Sequence, residues 1–201
     1  MKQTDLKDVP PEQVIVLMVD FQNAFCHPES HTVNDKINNE ATARWANAFA
    51  LRASELGASV VYSRQVYDPA TLTPRQDRWD ASEALCAKDT WGSELYVKPV
   101  PGSLVVIKNR FDIWQSRDFL DYIERRKPEG FVISGFELCC CVLFAVLGAD
   151  ERGYRYVVPQ DLVSGIDIGD LTYNRAVREY LRYTHGAPES SETVLKELGV
   201  A

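Results

Sequence analysis

Continuous apolar runs alternate along the chain with stretches of helical period. Residues 14–19 (VIVLMV), 104–107 (LVVI), 130–133 (GFVI) and 155–158 (RYVV) are short apolar blocks, and 59–67 (SVVYSRQVY) is rich in β-branched and aromatic side chains. Blocks of this length without polar alternation predict strands buried on both faces of a parallel sheet. Residues 34–57 carry Ile37, Ala41, Trp45, Ala48, Phe49, Leu51 and Leu56 and close at Gly57, a pattern that predicts a long helix. Further helices are predicted over 119–126, 142–152, 170–183 and 192–198. Residues 68–101 are irregular, broken by Pro69, Pro74, Pro99 and Pro101, with a short helix predicted over 82–87. The alternation of strand and helix implies an α/β fold. It is a three-layer α-β-α sandwich in which a mostly parallel sheet of about six strands carries helices on both faces. Residues 1–201 make one domain, since no repeat, linker or low-complexity tract divides them.

In such folds ligands bind beyond the carboxyl ends of the strands. Three chemically capable side chains fall at that rim on three separate strands: Asp20, Lys108 and Cys141. Cys141 is expected near the first turn of the helix after the fourth strand, where free N–H groups and the helix dipole can stabilise a thiolate. Taken singly, each has a plainer reading. Asp20 ends a strand, Lys108 is a solvated charge, and Cys139, Cys140 and Cys141 are small buried hydrophobes. Their coincidence on one rim is what points to a site.

Composition narrows the alternatives. The hydrophobic content of 45% is that of an ordinary globular chain, and a net charge of -7 offers no basic footprint for nucleic acid or an anionic membrane. No apolar run approaches membrane-spanning length and residues 1–5 lead into no signal peptide, so a cytoplasmic protein is expected. Five cysteines, three of them consecutive, make a poor disulfide framework, and adjacent residues do not readily converge on one metal ion. His27 and His31 have i, i+4 spacing, but Pro28 between them argues for two loop histidines rather than a zinc site.

The three rim motifs together resemble the isochorismatase-like cysteine hydrolases. That family carries its catalytic Asp in a strand-ending VDxQxxF, matched by Val19-Asp20-Phe21-Gln22-Asn23-Ala24-Phe25. Its catalytic Lys follows a later strand and precedes an aromatic, like Lys108-Asn109-Arg110-Phe111. Its nucleophile lies in GxxxxxCV, as from Gly135 to Cys141-Val142, and Gly153-Tyr154 with Val157-Val158 follow as in the family. The resemblance covers roughly residues 14 to 165 and selects Cys141 among the three cysteines. It implies a cis peptide shaping an oxyanion hole, near Glu137-Leu138 in this chain. The nicotinamidase branch adds an Asp-x-His and a further His for a divalent metal after the second strand. Residues 68–101 contain no His, so the metal-free amidohydrolase branch is implied, with no cofactor.

On that resemblance, Cys141 attacks an amide, ureide or similar carbon while Asp20 moves the proton and Lys108 steadies the charge. The backbone N–H groups of Leu138 and Cys141 hold the oxyanion. Phe25, Trp79, Trp91, Phe111 and Trp114 are candidate walls for a small-molecule pocket, although aromatics this frequent could equally be core. Arg110 and Glu137 could read a charged group on the substrate. Relatives imply a homo-oligomer, dimer or tetramer. Two other functions stay open: ether hydrolysis of the isochorismate type, with Asp20 as acid and Cys141 dispensable, and a non-catalytic thiol sensor or binding scaffold built on Cys139–Cys141.

Overall fold

The computed structural model describes residues 6–30, 39–76, 84–164, 173–185 and 190–200. Strand β1 (Val14–Val19) is followed by the short helix α1 (Asn23–Cys26) and the long helix α2 (Asn39–Glu55). Strands β2 (Ser59–Gln65) and β3 (Leu104–Lys108) come next, then helix α3 (Arg117–Arg126), strand β4 (Gly130–Phe136) and helix α4 (Leu143–Asp150). Strands β5 (Arg155–Val157) and β6 (Val163–Ser164) and helices α5 (Tyr173–His185) and α6 (Ser191–Val200) complete the order.

The sheet runs β3-β2-β1-β4-β5, with every pairing parallel, and β6 continues the edge of β4 beyond the end of β5. Strand order reverses direction at β1, so the crevice beyond β1 and β4 is the topological switch point where α/β folds bind ligands. The apolar run of β1 explains its central place. Val14, Val16 and Met18 pack with α2 and α6 residues such as Phe49 and Val194 in one core. Ile15, Leu17 and Val19 pack with Phe119, Ile123, Ala145 and Val146 of α3 and α4 in the other. A strand that must satisfy two cores has no polar face to show.

Gly135, near the end of β4, stands opposite Val19 of β1. Its φ is +137°, and a Cβ there would fall on the Val19 carbonyl oxygen and lie 2.6 Å from Val19 Cβ. Only glycine permits this approach. Gly135→Ala is therefore expected to destabilise the fold by about 2–4 kcal/mol, combining backbone strain with overpacking. Urea denaturation of the variant checks this, and a change below about 0.5 kcal/mol would contradict the close approach.

Three expectations need correction. The short helix over 82–87 does not form at 84–87, where Tyr67 N–H donates to Cys86 O and Lys88 N–H to Tyr67 O, drawing the chain into an isolated parallel bridge. The helix expected from residue 142 is preceded by a π-helical turn, Leu138–Val142, because Val142 N–H reaches back five residues to Glu137 O at 3.2 Å. Cys141 thus precedes α4 rather than occupying its first turn. Strand β4 also runs past Ser134-Gly135, since Gly135 and Phe136 pair with β6, a two-residue strand too short to leave a sequence signal.

Candidate active site

Asp20 follows β1 in a left-handed conformation, φ 51°. Ser63 of β2 anchors it twice: Asp20 N–H donates to Ser63 Oγ at 3.2 Å, and Ser63 Oγ donates to Asp20 Oδ1 at 2.6 Å. Lys108 ends β3, two strands away, and its ammonium reaches across the end of β2. It donates to Asp20 Oδ2 at 2.6 Å, to Gln65 Oε1 at 2.8 Å and to Cys141 Sγ at 3.5 Å. The three rim residues therefore meet in one place, and all are buried, with exposures of 1% for Asp20, 5% for Lys108 and 7% for Cys141. The Phe136–Glu137 peptide just before the cysteines is cis.

The charges decide how the site rests. Burial works against the Lys108 ammonium, but the Asp20 carboxylate and Cys141 outweigh it and hold its pKa above the ordinary lysine value. The thiol moves the other way from the sequence expectation. Burial, then the Asp20 charge, push Cys141 well above the usual thiol range, and the pull of Lys108 only partly offsets them. The resting site is thus a neutral thiol beside an ion pair.

Cys26 and Cys86 are likewise raised by burial and then by Asp20, Cys86 to about 12. These thiols stay protonated in the folded chain while the unfolded chain ionises near its ordinary value of 9.0. The folded state then binds more protons, so the stabilisation is complete below about pH 9 and is lost as pH rises towards the folded values; Lys108 adds with the same sign at higher pH. Denaturation midpoints are expected to fall steadily from about pH 9 to 11, each buried thiol contributing up to about 1.4 kcal/mol per pH unit. A flat profile over that range would refute this ordering.

A cavity of about 320 Å³ opens over Asp20 and Cys141. Phe25, Tyr67, Leu85, Phe111 and Phe136 line it with Asp20, Gln65, Glu137, Cys140 and Cys141. Phe25 stacks on Phe136 with centroids 4.7 Å apart. Phe25, Phe111 and Glu137, three of the candidate substrate contacts, thus line this cavity. Other candidates lie elsewhere. Trp114 is core: 2% exposed, its Nε1 donates to Ala145 O at 3.0 Å and its ring packs on Phe119, Phe131 and Tyr154. Trp91 is half-exposed and meets His27 edge-on at 4.9 Å in a separate concavity. Arg110 is exposed and faces a polar groove shared with Arg64, Asp68 and Lys88. Trp79 lies outside the described residues. Leu138 buries its side chain in the core beneath the site.

The sequence reading missed Ser63, Gln65 and Tyr67. Gln65 is 3% exposed; its Oε1 accepts from Lys108, and its Nε2 is buried without a partner at the cavity. Gln22 locks it in place, donating to Gln65 O at 2.9 Å and accepting from Gln65 N–H at 2.7 Å. The available signal was Ser63 and Gln65 alternating on one face of a strand otherwise destined for burial. Among residues with ligand chemistry after β2, Asp68 is engaged by Lys88 Nζ at 2.7 Å.

The model of the isochorismatase domain family matches residues 14–181 of the chain. No curated protein matches it. Among solved structures, a cysteine hydrolase from Pseudomonas syringae is 15% identical with a TM-score of 0.86, over 100% of this chain and 98% of that one. N-carbamoylsarcosine amidase from Thermoplasma acidophilum is 20% identical with a TM-score of 0.69, over 89% and 96%. A nicotinamidase from Bacillus subtilis is 15% identical with a TM-score of 0.73, over 89% and 99%. At such identities the likeness is one of fold. No described helix is long and apolar enough to cross a membrane.

Proposed function

We propose, from the premise that this chain belongs to the isochorismatase family, that it is a cysteine hydrolase cleaving a C–N bond of a small molecule through a thioester, in a reaction that uses no metal ion. The observation that carries this reading is the Lys108 ammonium, buried between the Asp20 carboxylate and the Cys141 sulfur, both of which line one cavity. Asp20 takes the Cys141 proton as the sulfur attacks the carbonyl carbon, so the thiolate exists only as the new bond forms. Lys108 offsets the negative charge left between them. The N–H groups of Leu138 and Cys141 are the assigned donors to the oxyanion, each contributing on the order of 3 kcal/mol. Asp20 returns the proton to the leaving amine or ammonia, then activates the water that cleaves the thioester.

The apolar walls favour an acyl or ureido group of modest size with a hydrophobic face, consistent with a cavity of about 320 Å³. Gln65 Nε2, with two N–H groups unmatched by protein, is the assigned donor to a substrate oxygen. Gln65→Leu is expected to lower kcat/KM by roughly 10–100-fold and, because it also removes the Oε1 that accepts from Lys108, to cost about 1–3 kcal/mol of stability while the protein stays folded. Equal activity in that variant would remove Gln65 from the scheme. The mechanism itself is tested by quenching an amide and ureide panel in single turnover and weighing the intact protein. An acyl adduct on Cys141 with release of ammonia or amine is expected; turnover that persists after Cys141 has been blocked by iodoacetamide refutes it.

A further inference from the structure

Two of the thiols that this scheme leaves unused stand together. Cys139 Sγ and Cys140 Sγ are 4.0 Å apart, closer than consecutive side chains are expected to converge. Both are partly exposed, and the Glu137 carboxylate joins them: one oxygen and two sulfurs all lie within 4.8 Å of one another. The backbone beneath is tied down. Cys140 N–H donates to Glu137 O at 3.0 Å, and Cys139 N–H donates to Asn174 Oδ1 of α5 at 3.2 Å.

We propose that Glu137, Cys139 and Cys140 form a binding site for a thiophilic divalent cation of the zinc class. Two sulfurs bound to tetrahedral zinc at about 2.3 Å stand about 3.8 Å apart, so the thiol spacing needs almost no adjustment. Rotation of the Glu137 side chain supplies an oxygen as third ligand, and the fourth position stays open to water. Two sulfur ligands select zinc-like cations over magnesium or calcium. Binding forms two metal–sulfur bonds and passes two thiol protons to the buffer. Glu137 and Cys140 also line the cavity over Cys141, so an ion held there becomes part of that cavity's wall.

The test is calorimetric titration of Zn²⁺ into the full chain carrying Cys141→Ala, in two buffers of different ionisation enthalpy. That background removes the catalytic thiol, so the outcome is independent of whether the hydrolase reading holds. One site releasing close to two protons is expected. Adding Cys139→Ser, Cys140→Ser or Glu137→Gln should each weaken binding at least about tenfold, since even partners behind a metal ligand are worth 10–100-fold. Co²⁺ should give a sulfur-to-metal charge-transfer band that each serine variant weakens and the double serine variant abolishes, with circular dichroism verifying that each is folded. Absence of binding, or a site that survives both serine substitutions, overturns the proposal.

Discussion

Cys141→Ala is expected to lower turnover of any amide or ureide substrate by roughly 10⁴-fold or more while the protein stays folded. The side chain is small and its surroundings, Leu138, Val142 and Ala145, are core, so losing one sulfur costs about 1–2 kcal/mol of stability. The chemistry has no substitute. The sulfur is the atom that Lys108 approaches, and neither Cys139 nor Cys140 is placed against that ammonium. Cys141→Ser is expected to fail almost as completely, because a hydroxyl in the same surroundings is a far weaker acid and a weaker nucleophile than a thiol. Steady-state rates with thermal denaturation of each variant check both points. Full activity of Cys141→Ala would instead favour acid catalysis by Asp20 alone.

The second large effect lies in the ion pair. Asp20→Asn keeps the shape but leaves the Lys108 ammonium buried without its counter-ion, at side-chain exposures of 3% and 1% for the pair. Removing one partner of a buried pair costs about 3–5 kcal/mol. Neutralising Lys108 sets a ceiling near the same figure: shedding a proton at pH 7 from a lysine whose ordinary pKa is 10.5 costs about 5 kcal/mol. That route reverses a sign. In Asp20→Asn the folded lysine binds its proton less tightly than the unfolded one, so stability should rise between about pH 7 and 9, where the parent protein is flat. Activity should fall roughly 10³-fold or more, because the proton acceptor is gone. Asp20→Asn combined with Lys108→Met should recover most of the stability and none of the activity, since a buried pair replaced as a whole is often near neutral. Urea denaturation across pH for the two singles and the double checks the cycle. If Asp20→Asn is as stable as the parent at pH 7, the two groups are not coupled as their 2.6 Å contact requires.

Asp20, Lys108 and Cys141 were legible because each ends or follows an apolar run, and local hydrophobic pattern locates strand ends well. The aromatics were not. Trp91, Phe111 and Trp114 look alike in sequence, yet Phe111 lines the cavity, Trp91 a separate concavity and Trp114 the core against Gly148 and Ala145. Burial of a loop aromatic depends on which helix passes over it, and no local period records that. Gln65 was hidden for a related reason. Its role comes from lying between β1 and β3 in the sheet, whereas the chain separates Asp20 from Gln65 by 45 positions and Gln65 from Lys108 by 43 (from the numbering).

By itself the amino-acid sequence determined the layers, the parallel sheet and the three polar side chains that end or follow its apolar runs, since these follow from short-range pattern and from side-chain chemistry. Only the tertiary structure decided that Lys108 spans β2 to reach Asp20, that burial keeps the Cys141 thiol protonated, and that a π-helical turn sets Cys139 and Cys140 side by side. Distances, desolvation and charge coupling depend on residues remote along the chain, and folding is what brings those residues within range of one another.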